Sequence, residues 1–161
     1  MTEALLVIDM QKQFYRGTGK KLMDKSIAVI NEAIKKFRTM GAPVVWIQHS
    51  DNKMGLAEGN PGYEIVDSLV PGEDEVMVVK TKGNGFIGTD LDAILKGKGT
   101  NQLFVCGYAA EGCVHRTYHG ALRLNYEVRK VRDATASSSR LLLSIFNRIG
   151  RYVDLGKILT R

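Results

Sequence analysis

The chain has little of what marks several broad protein classes. Its 161 residues include two cysteines, three prolines, three histidines and one tryptophan. Two thiols in a chain of ordinary composition do not make a disulfide framework, so both are expected reduced, in the cytoplasm. No apolar run approaches the roughly 18–20 residues of a membrane span, and no membrane partner is expected. Met1-Thr2-Glu3 runs at once into a strand-like stretch, so no signal peptide is read there. No repeat, linker or low-complexity segment interrupts the sequence. A single domain over residues 1–161 is therefore expected, long enough to bury a real core. No glycine stands between Asp9 and Tyr15, which excludes a Gly-x-Gly-x-x-Gly dinucleotide turn after the first apolar run. Lys80-Thr81-Lys82-Gly83 likewise lacks the Gly-Lys-Ser/Thr ending of a phosphate loop. No nucleotide or other cofactor is expected.

Charge is unevenly spread. Residues 1–112 hold 13 Lys/Arg against 14 Asp/Glu, whereas residues 113–161 hold 10 against 3. The basic residues are dispersed and carry no interleaved exposed aromatics, so a nucleic-acid partner is not expected. The asymmetry can still favour anionic substrates near Cys113.

What is present alternates. Ala4-Leu5-Leu6-Val7-Ile8-Asp9 is a continuous apolar run ending in an acid, as in a strand buried on both faces of a parallel sheet. Asp24 is positioned to cap a helix running to about Met40, with Ile27, Ile30, Ala33, Ile34 and Phe37 on one face. Residues 43–48 read as the second strand, and residues 49–72 as an excursion with a short helix near 63–69. Residues 75–79 form a third strand and 90–97 a helix. A fourth strand spans 101–107, a helix 112–124 and a fifth strand 126–131. Residues 133–137 read as a loop. A helix capped by Ser139 and a short strand at Tyr152-Val153 follow. This order predicts a single-domain α/β fold: a doubly wound three-layer α/β/α sandwich on a mainly parallel five- to six-stranded sheet, Rossmann-like.

In such sheets the ligand site lies outside the carboxyl ends of the strands. Asp9, Lys80 and Cys113 all fall there. Cys113 also begins a helix, where partial positive charge and free N–H groups favour thiolate over thiol. Cys106, inside an apolar strand, reads as structural. His115 and His119 share a helix face without an evident third ligand, so no metal is expected there. Phe14, Trp46 and Phe86 can line the pocket or fill the core, and His49 lies at the correct sheet edge.

Four pieces, in this order, resemble the isochorismatase-like cysteine hydrolase superfamily, which includes nicotinamidases and N-carbamoylsarcosine amidases. They are Leu6-Val7-Ile8-Asp9-Met10-Gln11 with Phe14, then Val79-Lys80 with Phe86, then Cys106 through Val114, then Arg132-Asp133-Ala134-Thr135-Ala136. The resemblance implies a catalytic triad of Asp9, Lys80 and Cys113 and a thioester intermediate in amide hydrolysis. It also implies a cis peptide at Tyr108–Ala109, which would aim the Ala109 N–H with the Cys113 N–H at an oxyanion. Phe14, His49, Phe86 and Ala110 are the expected substrate contacts. Proteins of this kind are usually oligomers, so a homodimer or homotetramer acting on a small molecule is expected.

The chain also departs from that pattern. Ala110-Glu111 stands where a Thr-Asp or Thr-Asn pair is common. Gly83 and Gly85 replace bulkier residues, which suggests a more open or mobile site. Only His49 and Asp51 follow the second strand, too few for the metal site of nicotinamidases. Three other readings stand beside the amidase: a non-catalytic homologue, a small-ligand-binding one, and an isochorismatase-type ether hydrolase.

Overall fold

Ala4 to Ile8 are buried without exception because their strand runs through the middle of a sheet covered on both faces. The structure, a computed structural model, describes residues 2–158. Its strands are β1 (Glu3–Ile8), β2 (Val44–His49), β3 (Val76–Lys80), β4 (Gln102–Tyr108), β5 (Glu127–Ala136) and β6 (Tyr152–Val153). Its helices are α1 (Gly17–Thr39), α2 (Leu91–Gly97), α3 (Cys113–Arg123) and α4 (Arg140–Phe146). The sheet order is β3-β2-β1-β4-β5-β6, and every pairing is parallel. This is the expected α/β sandwich, with six strands.

α1 covers one face through Ile27, Ile30, Ala33, Ile34 and Phe37, packed on Val7, Trp46 and Phe104. α2 and α3 cover the other through Leu91, Leu95, Val114, Tyr118 and Ala121. Each large side chain so buried stabilises the fold by about 1.5–3 kcal/mol. Trp46 belongs to this core: it is fully buried and its Nε1–H donates to Glu75. Cys106 is core as well, and burial pushes its thiol up.

Chain order reverses between β1 and β4. β2 and β3 build outward on one side of β1, β5 and β6 on the other side of β4. A crevice at the carboxyl ends of β1 and β4 is the expected ligand position for such a switch. β1 and β4 lie unusually close there. Gly107 has φ +120°, and a Cβ at that position would stand 2.0 Å from the Ile8 carbonyl oxygen. Only glycine accepts both constraints.

Four local expectations differ from the structure. α1 begins at Gly17 and not at Asp24, because Leu22 and Met23 extend the buried stripe past the polar turn. Asp24 instead accepts hydrogen bonds from Tyr15 and Lys20. The short helix expected over 63–69 is instead a single 3-10 turn at Pro61–Tyr63; Ile65 then bridges Gln11, the Val66 N–H donates to Met10 O, and a turn follows at 66–69. Residues 133–136 are not loop but the end of β5, where Thr135 and Ala136 pair with Gly107 and Tyr108. The ladder shifts register between the Val105–Lys130 and Gly107–Thr135 pairs, and Asp133, within that interval, has φ +62°. The loop at Gly83 is not open. The Gly85 N–H donates to Thr117 Oγ1 at 3.0 Å, and the Arg116 side chain lies across Gly83.

Candidate active site

Asp9 leaves β1 with φ +49°, a left-handed turn stabilised by its N–H donating to Ile47 O. The turn tips the carboxylate over the sheet edge. Lys80 ends β3, two strands away, in register with His49 of β2. Its long side chain crosses the end of β2, and its Nζ stops 2.9 Å from Asp9 Oδ2. Cys113 enters from the other side, after β4, as the first residue of α3. Lys80 Nζ lies 3.1 Å from its Sγ. Asp9 and Lys80 are each 1 % exposed, so this ion pair is shielded from water, and Cys113 is partly buried.

His49 joins them. Its Nδ1 is 3.1 Å from Lys80 Nζ. An ammonium has only donors, so this ring nitrogen accepts and the proton of the neutral imidazole sits on Nε2. Burial, and then the Lys80 charge, hold His49 below its ordinary range, which agrees with that tautomer. Asp9, His49 and Cys113 each offer a ligand atom within 4.8 Å of one another, a spacing that suits a metal ion. The Lys80 ammonium already touches all three groups. A metal there would have to displace it.

Sequence reasoning missed Gln11 as a positioning residue. It is fully buried, its amide donates to His49 O and Tyr63 O, and its carbonyl accepts from the His49 N–H. Its place two residues after Asp9 was the available signal.

Burial raises the Asp9 carboxyl, with Lys80 opposing. Burial also pushes the Cys113 thiol up to about 11, reinforced by Asp9 and opposed by Lys80. This corrects the expectation of a ready-made thiolate. A helix start contributes roughly 0.3–1 kcal/mol to a nearby anion, whereas desolvating a buried charge is worth several kcal/mol. Burial thus favours the thiol form of Cys113 and the protonated form of Asp9, with the Lys80 charge opposing both. Asp9 Oδ1 is buried and has no partner among the described residues. It is an open acceptor at the edge of the site.

The Tyr108–Ala109 peptide is cis. Among the described residues, no protein acceptor takes the Ala109 or Cys113 N–H. Residues 3–144 match the model of the isochorismatase domain. The chain belongs to the isochorismatase family. Streptothricin hydrolase from Streptomyces noursei is 35% identical over 142 residues, covering 84% of this chain and 50% of that protein, so the chain spans about half its length. A probable inactive nicotinamidase from Arabidopsis thaliana is 30% identical over 163 residues, covering 84% of this chain and 81% of that one. The crystal structure of N-carbamoylsarcosine amidase from Thermoplasma acidophilum superimposes with a TM-score of 0.86 at 29% identity, covering 98% of this chain and 99% of that one. The isochorismatase family thus contains hydrolases that share this sheet.

The remaining expected contacts of this isochorismatase-family chain fall in different places. Phe14 stacks on Tyr108 at 4.6 Å, next to the cis peptide. Phe86 stacks on Tyr126 at 5.8 Å and packs on the α2–α3 core. Ala110 is buried, and its N–H donates to Ala136 O. Glu111, the second residue of the departing Ala110-Glu111 pair, accepts from Ser137 Oγ at 3.0 Å. No helix among the described residues is long and apolar enough to cross a membrane.

Proposed function

We propose that the protein is a cysteine hydrolase that cleaves an amide or related C–N bond of a small molecule. The observation that carries this reading is the position of Lys80 Nζ, 2.9 Å from Asp9 Oδ2 and 3.1 Å from Cys113 Sγ, at the sheet's switch point. A buried acid, a thiol and a fixed cation in contact are the parts nucleophilic acyl transfer needs.

The thiol proton passes to Asp9 as sulfur attacks the carbonyl carbon. The C–S bond forms and the carbonyl electrons move to oxygen. The Ala109 and Cys113 N–H groups receive that oxyanion. Collapse restores the carbonyl and breaks the C–N bond, and the leaving nitrogen takes the proton from Asp9. Asp9 next removes a proton from water, and the hydroxide attacks the thioester. The second collapse releases the acid and returns the proton to sulfur. Lys80 holds the Asp9 carboxylate in place and offsets negative charge throughout.

The test combines ammonia release from a panel of primary amides with intact-mass analysis. Turnover with an acyl adduct on Cys113, lost in Cys113→Ala, is the expected result. Turnover that survives Cys113→Ala excludes covalent catalysis through this thiol.

A further inference from the structure

Beside the catalytic centre, a cleft of about 620 Å³ lies between the Lys82–Ile87 loop and the outer face of α3. Lys82, His115, Arg116, His119 and Arg123 line it, with Ile87, and no acidic side chain does. Among the described residues, Lys82, Arg116 and Arg123 form no ion pair. The volume lies within the range of about 300–1,000 Å³ of small-molecule pockets. Cationic groups facing one concave space favour an anionic occupant.

Asp9, Lys80 and Cys113 do not line the cleft, but two contacts set its lining residues beside them. The Lys82 carbonyl accepts from Lys80 Nζ at 3.1 Å. Arg116 stands one turn after Cys113, its N–H donating to Gly112 O. A Cβ at position 83 would stand 2.6 Å from Arg116 Cδ, so the glycine is what lets that arginine lie along the loop. The glycine that looked like an opening in sequence is a seat for a guanidinium.

Resting on the amidase reading above, we infer that the substrate is acidic: a carboxylate or phosphate on it occupies this cleft, paired with Arg116 and Lys82, while its amide reaches Cys113. Guanidinium binds such groups with two parallel hydrogen bonds.

Matched amides test the substrate class: succinamate against butyramide, and glutaramate against valeramide. The expected kcat/KM favours each acid by at least tenfold. In Lys82→Gln/Arg116→Gln the ratio falls toward one, while Lys21→Gln/Lys25→Gln on α1, a control with the same change in charge, keeps it. Calorimetry with inorganic phosphate tests the site itself. Binding is expected to weaken at least tenfold in the double variant, and phosphate is expected to compete with succinamate. A wild-type ratio near one, or a ratio that the double variant preserves, overturns the inference. Phosphate that binds without competing makes the anion a separate ligand and overturns the substrate class. If neither these four amides nor the primary-amide panel turns over, yet phosphate binding still depends on Lys82 and Arg116, the amidase reading fails and the anion site stands.

Discussion

Lys80 reaches Asp9 across the end of an intervening strand, and their Nζ and Oδ2 atoms meet at 2.9 Å with both side chains shielded from water. Nothing local to either residue dictates this pair. β3 is separated from β1 by β2, and only the in-register pairing of Lys80 with His49 brings the ammonium within reach. A buried pair of this kind is worth little against an apolar pair, but losing one partner typically costs about 3–5 kcal/mol.

That relationship sets the behaviour of Cys113. Its thiol is held up to about 11 by burial and by the Asp9 charge, with Lys80 opposing. Iodoacetamide labelling of Cys113 should therefore rise with pH toward a midpoint near 11. Asp9→Asn removes a negative neighbour, so the midpoint should fall. Lys80→Met removes a positive one, so it should rise. Asp9→Asn should nonetheless lower amide turnover by about 10²–10⁴-fold, because the proton acceptor is gone. A variant more reactive toward alkylation yet catalytically dead separates the acid–base role from thiol acidity. Unchanged midpoints in both variants would show that the thiol does not sense this ion pair.

Gln11 satisfies three backbone groups of His49 and Tyr63 with one side chain. Gln11→Ala removes the Gln11 bonds to the His49 N–H and C=O, while Tyr63 O keeps its bond from Gln48 Nε2. Urea unfolding should show a loss of about 1–3 kcal/mol, and the NMR titration of the His49 ring should move as its anchoring loosens.

Gly107→Ala should be the most damaging single-methyl change in the sheet. The added carbon would meet the Ile8 carbonyl oxygen at 2.0 Å, on a backbone with φ +120° that L side chains rarely adopt. β1 and β4 would have to separate where Asp9 and Cys113 converge. Soluble yield and melting temperature should both fall sharply, and any folded remainder should lack turnover.

Lys130 gives a stability prediction away from the site. It is 1 % exposed, its ammonium donates to Ile149 O, and it lies 5.2 and 5.4 Å from the Tyr118 and Tyr152 ring centres. Burial lowers it to about 8, from 10.5 when unfolded. Between those values the unfolded chain binds more protons than the folded one, so this lysine makes stability rise with pH across that window. Below it, the residue is a fixed liability on the order of 3 kcal/mol. Lys130→Met should be more stable than the parent at pH 7, and the advantage should shrink toward pH 10.5. Parallel urea curves at pH 7, 9 and 10.5 read this difference; a constant gap would show that the lysine is not the titrating group.

Much of the fold was legible because its signals are local. The apolar run from Ala4 to Ile8 announces a strand buried on both faces, and Ile27 to Phe37 repeat at helical spacing. Asp9, Lys80 and Cys113 each follow a strand, so a parallel topology alone sends them to one edge. What misled was equally local. Residues 133–137 look like a loop, yet β5 continues to Ala136 because Thr135 and Ala136 find partners on β4. Asp24 looks like a helix cap, yet α1 starts at Gly17 because Leu22 and Met23 have a core to enter.

The sequence by itself determined the order of strands and most helices and the sheet edge that bears Asp9, Lys80 and Cys113. These follow from residue type and period, which each segment carries alone. The tertiary structure decided the rest: that His49 closes on Lys80, that Gln11 holds His49, that Gly83 seats Arg116, and that burial pushes the Cys113 thiol up. Each of those depends on burial and on atoms brought together from distant segments. The thiol shows the difference most clearly. Its place at a helix start favours ionisation weakly and can be read in the sequence, whereas the desolvation that outweighs it exists only once the chain has folded around it.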